Sequence, residues 1–243
     1  MTKERIAKFL ANYNCGSRRE IERLILKNKI RVNGKTILSP LCFVDKNDEI
    51  YIDSKKISFQ KKIEILKLYK PINYVCSKRK QDKRKIIYEL ISTKYKNYIF
   101  AGRLDINSEG LIILTNSSKV TQNLENPKNK FKRTYHVKVY GDLNLKKLKE
   151  KSKGFIYKNI RYKSFNYKIL GDVKRNTWIE LDLFEGKKNE IRQIFRSINL
   201  EVNKLKRISY GPFCLNKLNP AQINIASAKE ISFYESHIRK IQR

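Results

Sequence analysis

The sequence is short of acids, glycine, proline, histidine and cysteine: 243 residues hold 23 Asp+Glu, 9 Gly, 5 Pro, 2 His and 4 Cys. The cysteines stand at 15, 42, 76 and 214 and form no Cys-x-x-Cys pair. That removes support for a zinc site or a redox dithiol and suggests reduced core thiols in a cytosolic chain. With only His136 and His237, a histidine-rich metal site is excluded, and a Ser-His-Asp triad would have to use one of them. No Gly-x-Gly occurs, so a dinucleotide or methyl-donor loop has no basis. No apolar run approaches the roughly 18 residues of a membrane helix. The opening Thr2-Lys3-Glu4-Arg5 reads against a secretory leader.

What the chain does have is positive charge. It carries 55 Lys+Arg, for a formal net charge of +32. Residues 1–60 hold 13 Lys+Arg against 7 Asp+Glu, so the excess is not a tail; it runs through the whole chain. A phosphate backbone rewards such dispersed cations through counterion release, which makes nucleic acid the leading partner. A Lys/Asn/Ile-rich composition accounts for part of the lysine but not for the scarcity of acids. Hydrophobic residues make up 40% of the chain, enough for a core and too many for a disordered basic tail.

The first 55 residues read as a compact module. Thr2 is the expected cap of a helix with Ile6, Phe9, Leu10 and Tyr13 at helical spacing, stopped by Cys15-Gly16. Ser17-Arg18-Arg19-Glu20 is a capping box, opening a second helix that buries Ile21, Leu24 and Ile25. Ile30 to Val32 is a strand, Asn33-Gly34 a hairpin turn, and Val44 to Ile52 further strand around a turn at 45–48. The stretches Glu4 to Leu10, Gly16 to Glu20 and Ile30 to Lys35 resemble the S4 RNA-binding domain. A helix N-terminus bearing Arg18 and Arg19 offers both dipole and charge to phosphate.

Residues 54–64 read as a linker, and 78–85 as a basic loop. Strands are expected at Ile65–Tyr69, Glu109–Thr115, Arg133–Val139 and Trp178–Leu183. Helices are expected at Ile86–Ile91, from a Ser117 cap to Leu124, at Leu143–Lys151 and at Asn189–Ile198. Mixed strands and helices without a βαβ repeat imply an α+β fold. Between two apolar strands lies Gly102-Arg103-Leu104-Asp105-Ile106-Asn107-Ser108-Glu109-Gly110. It is either a surface turn at 105–108 or a functional loop.

Gly102-Arg103-Leu104-Asp105 with Glu109-Gly110-Leu111 and Leu114-Thr115-Asn116 resembles the signature of the RsuA/RluB pseudouridine synthases. The resemblance extends to Tyr69-Lys70-Pro71, Arg133-Thr134-Tyr135, Glu185-Gly186-Lys187 with Glu190-Ile191-Arg192, and Leu205 to Pro212. Asn189 stands where that family carries a second arginine, and the tail from about 221 has no counterpart.

The resemblance implies isomerisation of uridine to pseudouridine in ribosomal RNA, with large-subunit RNA favoured. It needs no cofactor and no metal, and the enzyme is expected to be a cytoplasmic monomer with no membrane contact, acting on ribosomal RNA or an assembly intermediate. It assigns Asp105 as the essential carboxylate, Tyr135 to stack on the uracil and take the C5 proton, and Arg192 to pair with Asp105. Arg103 would fill the gap left by a flipped uridine. RNA contacts are expected from Arg18, Arg19, Lys35, Arg103 and Lys187. The expected architecture is an S4 domain over 1–60, linker included, and a catalytic domain over 61–243. The latter would be built on a mixed, largely antiparallel sheet, with Asp105 at the floor of its cleft. Two other readings stand beside this one: a non-catalytic S4-type ribosome-associated protein, and an S4-bearing methyltransferase, which the missing glycine loop disfavours.

Overall fold

The computed structural model describes residues 3–13, 15–59 and 63–242. Thr2, the expected helix cap, lies outside them. The chain divides into two compact units: residues 1–64 with 97–99 and 115–120, and residues 65–96 with 100–114 and 121–243.

The first unit begins with strand β1 (Glu4–Arg5) and helix α1 (Ile6–Asn12). Arg5 precedes α1 and gives it no side-chain cap. Helix α2 (Arg18–Leu26) follows, and its capping box is complete: the Glu20 amide donates to Ser17 Oγ at 3.2 Å, and the Ser17 amide donates to Glu20 Oε2 at 2.8 Å. Then come β2 (Ile30–Val32), β3 (Lys35–Thr36), β4 (Phe43–Val44), β5 (Ile50–Ile52) and β6 (Lys55–Lys56). The order in the main sheet is β3-β2-β5-β6, while β1 pairs with β4. Asn33 and Gly34 take φ of 49° and 81°, the left-handed pair that a tight hairpin requires. Ile6, Leu10, Ile21, Ile25, Ile30 and Ile50 are fully buried. Each such side chain contributes roughly 1.5–3 kcal/mol relative to exposure. The expected linker is ordered at its start. There β6 pairs with β5, and Ile57 and Phe59 reach back to this core.

The rest of the chain contains β7 (Ile65–Lys70), β8 (Tyr74–Val75), β9 (Lys85–Ile86), β10 (Ile99–Ala101), β11 (Glu109–Thr115), α3 (Ser118–Glu125) and β12 (Arg133–Tyr140). It continues with α4 (Leu145–Ser152), β13 (Phe155–Tyr157), β14 (Ile160–Tyr162), β15 (Asn166–Leu170), β16 (Asn176–Leu183) and α5 (Glu190–Arg196). It ends with β17 (Glu201–Tyr210), β18 (Phe213–Cys214), β19 (Ile223–Ile225) and α6 (Ala228–Gln242). A nine-stranded sheet runs β15-β16-β12-β17-β11-β7-β19, with β10 on β11 and β18 on β17. The β11–β17 pair is parallel; β15–β16, β16–β12, β12–β17 and β7–β19 are antiparallel. The fold is therefore α+β on a mixed, mostly antiparallel sheet. Among the described residues no helix is long and apolar enough to cross a membrane.

One expected element is corrected. Ile86–Ile91 forms only a short 3-10 turn, Ile87–Leu90. The tail beyond 220 is structured: β19 extends the sheet and α6 locks onto it. The Lys67 ammonium meets Glu230 Oε1 at 2.7 Å in a buried ion pair. All four cysteines are free, but only Cys76 is buried.

Candidate active site

The residues expected to carry chemistry meet in one cavity of about 980 Å³. Arg103 and Asp105 reach it from the β10–β11 loop, Tyr135 from β12, Lys187 from the segment after β16, and Arg192 from α5. Arg18, Arg19 and Lys35 belong to the first unit. The two arginines are exposed in the first turn of α2, and Lys35 is exposed on β3.

Asp105 sits in a turn closed by the Ser108 amide donating to the Asp105 carbonyl at 3.0 Å. The surface-turn reading of this loop is thus met. The turn's main chain is held at nearly every step. Gly102 N donates to Glu125 Oε1 at 2.7 Å, Leu104 N to Cys76 Sγ at 3.4 Å, and Asn73 N to the Ile106 carbonyl at 2.8 Å. Lys70, fully buried, donates from Nζ to the carbonyls of Pro71 at 3.0 Å, Asp105 at 3.1 Å and Ser108 at 2.6 Å. Burial pushes the Lys70 ammonium down to about 8 despite the carboxylates of Asp105 and Glu109 nearby. The Asp105 side chain is exposed and takes no hydrogen bond or ion pair among the described residues. It is not sunk at the cavity floor. The buried polar groups of the cavity are Ser108, Arg133, Glu190 and Arg207.

Tyr135 owes its place to strand register. On β17 its partner is Arg207, and a shift between Thr134 and Tyr135 leaves Ile208 unpaired. Such a shift bends the strand and re-aims the neighbouring side chain. Arg207 lies between Tyr135 on β12 and Gly110 on β11. A Cβ on Gly110 would fall 2.3 Å from the Arg207 carbonyl oxygen, and its φ of 110° is strained for other residues. Glycine here is what lets the two strands close up under the cavity. Arg207 Nε donates to the Leu111 carbonyl at 2.7 Å. The guanidiniums of Arg133 and Arg207 stand 4.6 and 5.0 Å from the Tyr210 ring centre. Neither arginine has a carboxylate partner among the described residues, so the cavity wall is strongly electropositive.

Arg192 lines the cavity, but its Nη1 donates to the Val202 carbonyl at 2.9 Å. No ion pair joins it to Asp105 among the described residues, which corrects the expected pairing. The reason is local: α5 packs on β17, and the carbonyl that Arg192 takes belongs to that strand. The Lys187 ammonium is engaged by Glu185 Oε2 at 2.8 Å and by the Arg161 carbonyl. Asn189 takes φ of 55°, a left-handed conformation that asparagine tolerates and that turns the chain into α5.

Sequence reasoning did not single out Lys70, Arg133, Arg207 or Glu190 as site residues. Lys70 and Arg133 stood in motifs of the resemblance without a role of their own, and only the sheet shows them buried. A cation in an otherwise apolar strand, as in Ile65-Leu66-Lys67-Leu68-Tyr69-Lys70, is the signal that was available.

Comparison with known proteins agrees with this layout. The sequence model of the RNA pseudouridylate synthase family matches residues 64–197, and that of the S4 domain matches residues 4–50. An RNA pseudouridine synthase of Rickettsia felis is 40% identical over 217 residues, covering 89% of this chain and 94% of its own. A ribosomal large subunit pseudouridine synthase B of Buchnera aphidicola is 33% identical over 223 residues, covering 88% of each chain. A pseudouridylate synthase crystal structure shares the fold over 96% of this chain and 100% of its own, with a TM-score of 0.69 at 22% identity. Identity sustained over nearly the full length of both chains is not a property of a borrowed module, and the chain belongs to the RNA pseudouridylate synthase family, with an S4 domain at its N-terminus.

Proposed function

We propose that this pseudouridine synthase acts in the cytoplasm on a uridine of large-subunit ribosomal RNA, with Asp105 as the essential group. The observation that carries the reading is convergence: Asp105, Tyr135, Lys187 and Arg192 come from four separate segments and line one cavity. A binding module without chemistry has no need to bring a free carboxylate, a tyrosine and cations together.

In this reading the uridine is flipped into the cavity and stacks on Tyr135, with Arg103 filling its place in the RNA. The carboxylate of Asp105 acts at the ribose, either attacking C1′ or taking the C2′ proton. The N1–C1′ bond breaks and its electron pair leaves with the uracil. The base turns and C5 bonds to C1′, expelling the Asp105 carboxylate on the first route or with return of the proton to C2′ on the second, and Tyr135 takes the C5 proton. Arg192 acts on Asp105 as a neighbouring positive charge rather than as an ion-pair partner. Lys187 meets phosphate near the cavity. Arg18, Arg19 and Lys35 hold the RNA through the first unit, so that residues 1–60 serve as clamp and 61–243 as catalyst.

Mapping pseudouridine across both ribosomal RNAs by carbodiimide-primer extension, in a strain lacking this protein, tests the assignment. Loss of one large-subunit site supports it. Loss of a small-subunit site moves the target, and loss of no site sinks the proposal.

A further inference from the structure

Two acids that the reaction does not use lie at the cavity: Glu190 lines it, and Glu185 directly precedes the lining segment 186–190. Glu185 and Glu190 are 6% and 4% exposed, and their carboxyl groups lie within hydrogen-bonding reach of each other. Glu185 Oε1 accepts the Lys163 amide at 2.8 Å, and its Oε2 accepts the Lys187 ammonium at 2.8 Å. Glu190 Oε2 accepts the Lys187 amide at 3.0 Å. The groups facing the pair are few. Lys187 comes from the segment between the two acids. Tyr162 on β14 has its ring 5.5 Å from the Lys187 ammonium, and Arg133 on β12 donates to the Glu185 carbonyl at 3.3 Å. One ammonium cannot neutralise two carboxylates buried against each other, so one of them keeps its proton. Glu185, with the ammonium and the Lys163 amide, is the ionised member. Glu190 has no cation of its own.

We propose that Glu185 and Glu190 share a single proton, carried by Glu190, and that this pair is a positioning device for the cavity wall 185–190. The inference rests on the reading of this cavity as the uridine site. The proton lets Glu190 donate to Glu185 while Glu185 holds Lys187 and the Lys163 amide. The segment Gly186-Lys187-Lys188-Asn189, bent at Asn189, is thereby tied at both ends. Loss of the proton sets two carboxylates against each other and frees the segment. It also places an extra negative charge where RNA must approach. Burial and the neighbouring Glu185 carboxylate push Glu190 up to about 8, which puts the change just above neutrality.

The test compares the full-length protein with its Glu190→Gln variant, since the amide keeps a donor that does not titrate. The ratio of the variant's kcat/KM to that of wild type, for tritium release from C5-labelled ribosomal RNA, is read from pH 7 to pH 9. Taking a ratio cancels the titration of Lys70. It is expected to stay within about twofold of unity at pH 7 and to rise about tenfold by pH 9, as wild type loses the proton. Glu190→Ala, without a donor, is expected to be slow at every pH.

Two readings need no RNA. An infrared band of a protonated carboxyl is expected at pH 7 in wild type and lost in Glu190→Gln. The urea midpoint of wild type is expected to fall between pH 5 and pH 8 relative to the variant, because the folded state retains a proton that the unfolded chain releases. Absence of the band at pH 7, or a ratio flat to pH 9, overturns the proposal. If neither protein modifies any RNA, the uridine reading fails instead, and the pair is decided by band and melt.

Discussion

Lys70 and Asp105 are joined through the main chain. The buried Lys70 ammonium donates to the Asp105 carbonyl at 3.1 Å, while the Asp105 carboxylate stands exposed in the cavity without a partner among the described residues. The ammonium also holds the Ser108 carbonyl at 2.6 Å, so both ends of the turn hang from one buried cation. The backbone is fixed and the carboxylate is left available, which is what the role proposed for Asp105 requires.

Replacing Lys70 by methionine keeps the volume and removes the donor. The carbonyls of Pro71, Asp105 and Ser108 each lose a charged hydrogen bond. Leaving buried acceptors unfilled costs about 1–3 kcal/mol. Lys70→Met is therefore expected to lose stability on that scale in urea melts and to lose turnover further, with RNA affinity little changed. Full turnover in a protein destabilised to this extent would show that the loop needs no clamp.

Asp105→Asn isolates the chemistry. The carboxylate makes no hydrogen bond or ion pair among the described residues, so its loss is expected to shift stability by no more than about 0.5 kcal/mol. Pseudouridine formation is expected to fall by roughly 10³-fold or more, as when an essential catalytic group is removed. Tritium release from C5-labelled RNA measures it, and near-normal release rules Asp105 out as the acting group.

Arg192 is expected to separate activity from stability. Its one hydrogen bond, to the Val202 carbonyl, makes Arg192→Ala cost about 1 kcal/mol and not the roughly 3–5 kcal/mol of a broken buried ion pair. Turnover should nonetheless drop, because Asp105 loses the positive charge across the cavity. Arg196, exposed on the same helix, serves as control: Arg196→Ala should stay within about 0.5 kcal/mol of wild type in the melt and turn over normally. Equal turnover in the two variants would remove Arg192 from the site.

Arg18 and Arg19 are exposed in the first turn of α2 and make no ion pair among the described residues. Reversing both to glutamate is expected to leave the fold intact. It should weaken RNA binding and make the slope of log K against log salt shallower by about two contacts. An unchanged slope over a salt series would mean that these arginines touch no phosphate.

Local sequence determined the elements whose causes are local. The Ser17–Glu20 box and the Asn33-Gly34 turn are set by side chains three residues apart or by left-handed propensity, and both form as read. The same rule was present unread in the tail. Ser227-Ala228-Lys229-Glu230 is a second Ser-x-x-Glu, and the Glu230 amide donates to Ser227 Oγ at 3.3 Å at the start of α6. Alternation likewise fixed β12 and β16, where one face packs on the core. The ordered motifs pointed to Asp105, Tyr135, Lys187 and Arg192, which do line one cavity.

Tertiary structure alone decided what those residues touch. Register, not sequence spacing, sets Tyr135 beside Arg207, because an unpaired Ile208 shifts the ladder by one residue. Arg192 bonds Val202, and not Asp105, because hydrogen-bond partners are set by distance across packed elements 10 or 87 residues apart in sequence. Lys70, Glu185 and Glu190 read as ordinary charges until burial removes their water. A charge deprived of solvent must find carbonyls, an ion or a proton, and which of these it finds depends on segments the local sequence cannot see.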